Sequence, residues 1–91
     1  DVMPPSVPTA LTAVGISNTR IHLAWNAAAD NLGVTGYRIS RDGVEVATST
    51  TPYYEDANRA AGTTYQYAVT AVDAAGNISG PSYALTAATL P

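Results

Sequence analysis

This 91-residue chain contains no cysteine and no lysine, and charged residues make up only 12% of it. Without cysteine it has neither a disulfide framework nor a cysteine-ligated zinc site, so its folded state must depend on packing. Its four positive side chains are scattered arginines and its net charge is −3, which leaves no basic surface for nucleic acid. No stretch approaches the roughly 20 apolar residues of a membrane-spanning helix. We therefore predict a chain without nucleic-acid or membrane partners.

Proline is frequent near the ends of the chain. Pro4, Pro5 and Pro8 lie near its start and Pro91 closes it, which is typical of extended linker between domains. We predict a linker over residues 1–7 and one folded domain over residues 8–90. The stretch DVMPPSVP lacks the charged and apolar regions of a signal peptide, so we expect any export signal to be removed or to lie elsewhere in a longer parent.

Between the ends, apolar residues recur at every second position, which is the pattern of strands buried on one face. Turn residues such as Asp42-Gly43, which tolerate positive φ, separate the runs. The candidate strands contain Leu11, Ala13; Ile21, Leu23, Trp25; Tyr37, Ile39; Val44, Val46; Pro52, Tyr54; Tyr65, Tyr67, Val69, Ala71; and Tyr83, Leu85, Ala87. Pro52 indicates an edge strand, because proline cannot donate to a central ladder. Short strands at roughly 8 to 12-residue spacing predict an all-β, two-sheet antiparallel sandwich.

Five motifs in register carry a family resemblance. They run from Pro8…Leu11 through Ile21-x-Leu23-x-Trp25, Gly36-Tyr37-x-Ile39 and Gly62-Thr63-x-Tyr65-x-Tyr67-x-Val69-x-Ala71 to Thr89. In this order, and across practically the whole chain, they resemble a fibronectin type III domain. The segments WNAAADNLGVTGYRISRDG and YAVTAVDAAGNISGPS are similar to the bacterial form of that domain. That form occurs as a non-catalytic module in secreted polysaccharide-degrading enzymes, such as chitinases and cellulases, and in some extracellular depolymerases.

The resemblance implies a seven-stranded antiparallel immunoglobulin-like β-sandwich in which aromatic residues have structural roles. It places Trp25 in the core between the sheets, where alternation also places Tyr37. It assigns Tyr65 to a tyrosine corner, in which a phenol hydroxyl bonds to backbone upstream of its strand. Arg59 stands where the family usually has a leucine. We expect either that its aliphatic stem crosses the core with the guanidinium in water, or that the corner is looser.

The sequence assembles no catalytic site. The only histidine, His22, is predicted on the outer face of its strand, and no serine or aspartate can be placed beside it. Glu55 and Asp56 are adjacent, so they face opposite sides of a strand and cannot flank one glycosidic bond. We predict no catalytic residue and no cofactor in this chain. The resemblance implies that the parent protein is a glycoside hydrolase or a similar extracellular hydrolase.

Oxygen-bearing side chains are predicted to meet at one end of the sandwich. Asp30 and Asn31 lie in one loop there, and Asp73 and Asn77 lie in another. Calcium takes about six to eight oxygen ligands, so these side chains fall short unless backbone carbonyls and water contribute. We expect instead that they cap their own turns by accepting hydrogen bonds from nearby backbone N–H groups. We predict no metal site, with a loop cation as the alternative.

Tyr53 is the tyrosine that the strand pattern leaves outside the core, and it is the candidate ligand-binding residue. Exposed aromatic rings stack on the faces of sugar rings, but a single tyrosine makes a poor platform. The sequence therefore favours a secreted, monomeric spacer module whose partners are the neighbouring domains of its own polypeptide. The alternatives are a weak polysaccharide-surface binder that uses Tyr53, and a protein-interaction module.

Overall fold

The computed structural model describes residues 4–29, 33–82 and 84–91. The strands are β1 (Thr9–Gly15), β2 (Ile21–Asn26), β3 (Val34–Arg41), β4 (Val44–Ser49), β5 (Tyr53–Asp56), β6 (Thr64–Asp73) and β7 (Leu85–Ala88). Antiparallel pairing gives a three-stranded sheet in the order β1-β2-β5 and a four-stranded sheet in the order β4-β3-β6-β7. The predicted seven-stranded, two-sheet architecture is confirmed. No described residue belongs to a helix long and apolar enough to cross a membrane.

Because side chains alternate between the two faces of each strand, the apolar side chains of both sheets form a core between them. Its buried members are Leu11, Ile21, Leu23, Trp25, Tyr37, Ile39, Tyr67, Val69 and Ala71. Trp25 and Tyr37 meet across the sheets edge to face, with 5.3 Å between ring centroids. The Tyr37 hydroxyl accepts a hydrogen bond from the Ala28 backbone N–H at 3.1 Å. Tyr83, which is predicted in the last strand, lies outside the described residues.

The β3–β4 hairpin is scaffold. Asp42 and Gly43 both have positive φ, 53° and 84°, which is the requirement of a tight two-residue turn that follows the twist of its strands. Asp42 also reaches β6, because its N–H donates to the Gln66 carbonyl at 2.8 Å and its Oδ1 accepts the Gln66 N–H at 2.9 Å. The backbone N–H and the side-chain carboxylate of Asp42 therefore both stabilise the turn.

The described segments at the two ends of the chain lie at opposite ends of the sandwich. At one end, the Ser6 N–H donates to the Ala29 carbonyl at 2.8 Å, just before β1. At the other, the Leu90 N–H donates to the carbonyl of Ser17, which follows β1, at 3.0 Å. The two described end segments therefore lie beyond opposite ends of β1, in a molecule whose principal extents are 46 × 19 × 19 Å.

Candidate functional site

Histidine and carboxylate groups do not converge on a reactive centre in the part of the chain described. His22 is half-buried on β2, and its register neighbours on the flanking strands are Val14 and Glu55, so no hydroxyl nucleophile lies opposite it. No group of three or more His, Cys, Asp and Glu side chains that could hold a metal ion occurs among the described residues. The geometry therefore offers neither an oriented base nor a ligand set.

A buried carboxylate, that of Asp56, lies at the end of β5. Both of its oxygens lie 3.0 Å from Nη1 of Arg41 on β3, and Oδ2 accepts the Tyr67 hydroxyl on β6 at 2.6 Å. Nε of Arg59 lies 3.8 Å from Oδ1. We call these four residues the Asp56 cluster. Because Asp56 belongs to one sheet and Arg41 and Tyr67 to the other, the cluster ties the two sheets together.

The polar groups of the Asp56 cluster bind one another. Burial raises the pKa of Tyr67, and the hydrogen bond to Asp56 and the charge of that carboxylate raise it further, so Tyr67 stays a neutral donor. The Asp56 side chain is only 5% exposed, and its oxygens are bound by the Arg41 guanidinium and the Tyr67 phenol. Glu55 faces away, as its adjacency to Asp56 predicts, and it pairs with Arg20 at 3.1 Å on the surface.

Arg59 is half-buried, with 25% of its side chain exposed. Its Nε donates to the Ala57 carbonyl at 3.2 Å, and its guanidinium lies 5.9 Å from the Tyr65 ring centroid, beside Asp56. The corner is still closed, because the Tyr65 hydroxyl accepts the Ala60 N–H at 3.0 Å. The sequence contained a signal for this arrangement. The alternation that puts Tyr54 inside β5 puts Asp56 inside as well, and a buried carboxylate requires a cation or strong donors.

Asp73 holds the turn that follows β6. Its Oδ1 accepts the N–H groups of Ala75 at 2.9 Å and of Asn77 at 2.8 Å, and its Oδ2 accepts the Asn77 side-chain amide at 3.0 Å. Asp30 and Asn31, the other side of the predicted cation site, lie outside the described residues. Both Asp73 oxygens accept hydrogen bonds from the turn itself, as expected if Asp73 caps this turn.

The hydrogen bonds to Asp73 predict how the stability of the fold depends on pH. Burial raises the pKa of its carboxyl, but the donors from Asn77, Ala75 and Gly76 outweigh burial and hold the pKa below its ordinary value. Because the pKa of Asp73 is lower in the folded state, the ionised carboxylate stabilises the fold. This stabilisation is fully present above the unfolded pKa of about 3.9 and is lost as the pH falls through the folded pKa.

We therefore expect the Asp73→Asn variant to lose less stability than the wild type as the pH is lowered. The measurement is the urea midpoint followed by Trp25 fluorescence between about pH 2 and pH 7. Glu45→Gln, at an exposed carboxylate on β4, is the control and should leave the acid limb of the curve unchanged. Identical acid limbs for wild type and Asp73→Asn would contradict the assignment.

Tyr53 lies on the outer face of the three-stranded sheet and is 54% exposed. Its register neighbour on β2 is Ala24, which in turn faces Thr12 on β1. Both neighbours are small, whereas Tyr54 turns inward and packs against the core. We call Tyr53, Ala24 and Thr12 the Tyr53 face. It offers one stacking ring to a ligand.

A shallow groove of about 550 Å³ lies on the outer face of the other sheet. Its lining includes Thr35, Gly36, Arg38, Thr48, Thr50 and Val72, and none of its lining residues is a carboxylate or a histidine. A pair of groups able to exchange a proton with a substrate is therefore missing from this groove.

Comparisons with known proteins give one consistent result. A family model described as the fibronectin type III domain matches residues 6–88. Chitinase Chi52 of Paenibacillus xylanexedens is 46% identical over 98% of this chain, and exoglucanase B of Cellulomonas fimi is 44% identical over 98% of it. The chain covers only 17% and 8% of those proteins. A solved structure, chitinase ChiA74 from Bacillus thuringiensis, matches 99% of this chain with a TM-score of 0.90 and 33% identity, over 14% of its own length.

Proposed function

Because the chain belongs to the fibronectin type III family, we propose that it is a non-catalytic accessory module of a larger polymer-degrading hydrolase. Related segments occur in a chitinase and in an exoglucanase, and each makes up 17% or less of the protein that carries it. A segment shared by enzymes that are named for different reactions supports a role that does not depend on the substrate. We further propose that the module acts outside the cell, as a monomer and without a cofactor.

The proposed mechanism is geometric. The observation that carries it is that the described segments near the two ends of the chain, at Ser6 and at Leu90, lie at opposite ends of a molecule 46 Å long. A module of this kind holds the domains on either side at a defined separation and orientation. It thereby raises the effective concentration of a catalytic domain at the polymer surface to which another domain is bound.

The boundary of the module is part of this proposal. A folded domain over residues 8–90, preceded by a linker over residues 1–7, is the prediction from the sequence. The Ser6 hydroxyl accepts the Ala29 N–H at 2.9 Å and the Ser6 N–H donates back to Ala29. These two bonds favour a folded unit that already includes Ser6.

Replacing the module in its parent enzyme with a flexible Gly/Ser segment of equal residue number tests the spacer. Such a segment has a root-mean-square span of roughly 50 Å, close to the module's own length, so the variant changes stiffness rather than reach. We expect the rate on insoluble polymer to fall by roughly fivefold, while the rate on a soluble oligomer is unchanged.

The control is a second replacement, by an unrelated β-sandwich of similar length whose ends also lie at opposite poles. If the spacer proposal holds, this variant recovers most of the rate on insoluble polymer. An equal loss with both replacements would mean that the surface of this particular module matters, and the spacer proposal would be wrong.

A second candidate, weak binding to a polysaccharide surface, is supported by the exposed ring of the Tyr53 face. Retention of the isolated module on chitin and cellulose tests it, with Tyr53→Ala as the variant. Val44→Ala, which removes an exposed side chain from the other sheet, is the matched control. Retention that disappears only with Tyr53→Ala would establish this candidate, and no retention of the wild type would eliminate it.

A further inference from the structure

The positive charges of this chain are unevenly matched by carboxylates. Among the described residues, the ion pairs are Arg20 with Glu55, Arg38 with Glu45, and both Arg41 and Arg59 with Asp56. Two guanidiniums therefore share the single negative charge of one carboxylate. The fourth member of the Asp56 cluster, Tyr67, is a neutral phenol, so the cluster carries one positive charge in excess.

The two guanidiniums of the Asp56 cluster are held side by side. Nη1 of Arg41 and Nε of Arg59 lie 3.0 and 3.8 Å from the same oxygen, Oδ1 of Asp56. Nε of Arg59 also donates to the Ala57 carbonyl at 3.2 Å. The Cζ atoms of Arg41 and Arg59 lie 6.0 and 5.9 Å from the centroid of the Tyr65 ring, a separation at which a guanidinium is attracted to an aromatic ring. Shared contacts therefore fix the positions of both groups.

Both arginines keep N–H groups that a ligand can reach. Within the described residues, Nε and Nη2 of Arg41 and both terminal nitrogens of Arg59 have no hydrogen-bond partner. In the same part of the chain, Trp25 Nε1 is the only buried side-chain nitrogen or oxygen without a partner. The unpaired arginine nitrogens are therefore accessible to solvent, although only 18% and 25% of the two side chains is exposed. A charge that is partly screened from water attracts an anion more strongly than a fully exposed charge does.

We propose that Arg41 and Arg59 together bind the carboxylate group of a ligand on the solvent side of the Asp56 cluster. A carboxylate is planar and presents two oxygens to guanidinium N–H groups, and its single negative charge equals the charge in excess. Asp42, which follows Arg41 in the chain, does not fill this role. Its Oδ1 accepts the Gln66 N–H at 2.9 Å, and it forms no ion pair among the described residues. The site requires no neighbouring domain, so it is independent of the spacer function.

The test is a nuclear magnetic resonance titration of the 91-residue chain with sodium acetate, which follows the side-chain Nε–H signals of its four arginines. A parallel titration with sodium chloride at equal ionic strength separates binding from screening. We expect acetate to shift the Arg41 and Arg59 signals to saturation and chloride not to do so. Arg20 and Arg38, whose exposed side chains each have a carboxylate of their own, are the internal controls and should shift little.

Arg59→Leu removes one of the two guanidiniums and should weaken acetate binding by at least about fivefold, because each hydrogen bond between charged groups contributes substantially. Arg20→Leu changes the net charge by the same amount and should leave the dissociation constant within about twofold, since exposed charges at a distance are screened. Urea unfolding checks that both variants remain folded. If Arg59→Leu does not fold, the comparison of the four arginine signals in the wild type still decides the question.

A free organic acid and an acidic sugar both present a carboxylate, and titration with galacturonate distinguishes them, with neutral galactose as its control. Tighter binding of galacturonate than of acetate would assign the site to acidic sugars, and equal binding would assign it to the carboxylate alone. The inference is wrong if the Arg41 and Arg59 signals do not saturate, if all four arginines respond alike, or if Arg59→Leu binds acetate as the wild type does. Tighter binding of inorganic phosphate than of either carboxylate would overturn the ligand class.

Discussion

Trp25→Ala is expected to lower the free energy of unfolding by about 3 to 5 kcal/mol, since the ring is almost entirely buried and packs edge to face on Tyr37. A domain of this size is stable by roughly 5 to 15 kcal/mol, so the variant should lose a large part of its stability. The measurement is urea unfolding followed by circular dichroism, because the substitution removes the only tryptophan.

Trp25→Phe is the informative companion. The Trp25 Nε1 is buried without a hydrogen-bond partner among the described residues, so its loss removes no bond. Phenylalanine keeps one aromatic ring in the same layer, and we expect it to cost about 1 to 2 kcal/mol. An alanine variant as stable as the wild type would contradict the assignment of Trp25 to the core.

Asp56→Ala is expected to cost a further large amount, about 3 to 5 kcal/mol, because it leaves Arg41 partly buried without its counter-ion. It also removes the acceptor of the Tyr67 hydroxyl, which is fully buried. Urea unfolding followed by Trp25 fluorescence measures the loss.

Glu55→Ala, one residue earlier, separates this effect from a general effect of removing a carboxylate. Glu55 pairs with Arg20 on the surface, and exposed ion pairs contribute about 0 to 1 kcal/mol. The two variants should therefore differ by several-fold in the free energy that they remove. Equal losses would show that burial of Asp56 does not govern its contribution.

Alternation made the core predictable. A strand's pleat turns every second side chain to the same face, so Trp25, Tyr37 and Ile39 could be assigned to the interior without knowing which strands pair. The Asp42-Gly43 hairpin was predictable for a similarly local reason, because its turn depends on the φ preferences of two adjacent residues.

The sequence predicts the burial of Asp56 but not the partners that it binds in the Asp56 cluster. Alternation puts Asp56 inside, but its partners Arg41 and Tyr67 lie 15 and 11 residues away in the chain and belong to the other sheet. Meeting them requires the stacking of two sheets in one particular offset, which the pattern within a strand does not specify. The contacts of Arg59 with Asp56 and with the Tyr65 ring could not be predicted for the same reason.

By itself the sequence determined the all-β class, the buried face of each strand and the family. Only the tertiary structure decided that Asp56 pairs with Arg41 across the two sheets and that the described ends of the chain lie at opposite ends of the sandwich. The physical reason is that burial along a strand follows from a repeat of two residues, whereas contacts between sheets depend on the register of strands that are distant in the chain.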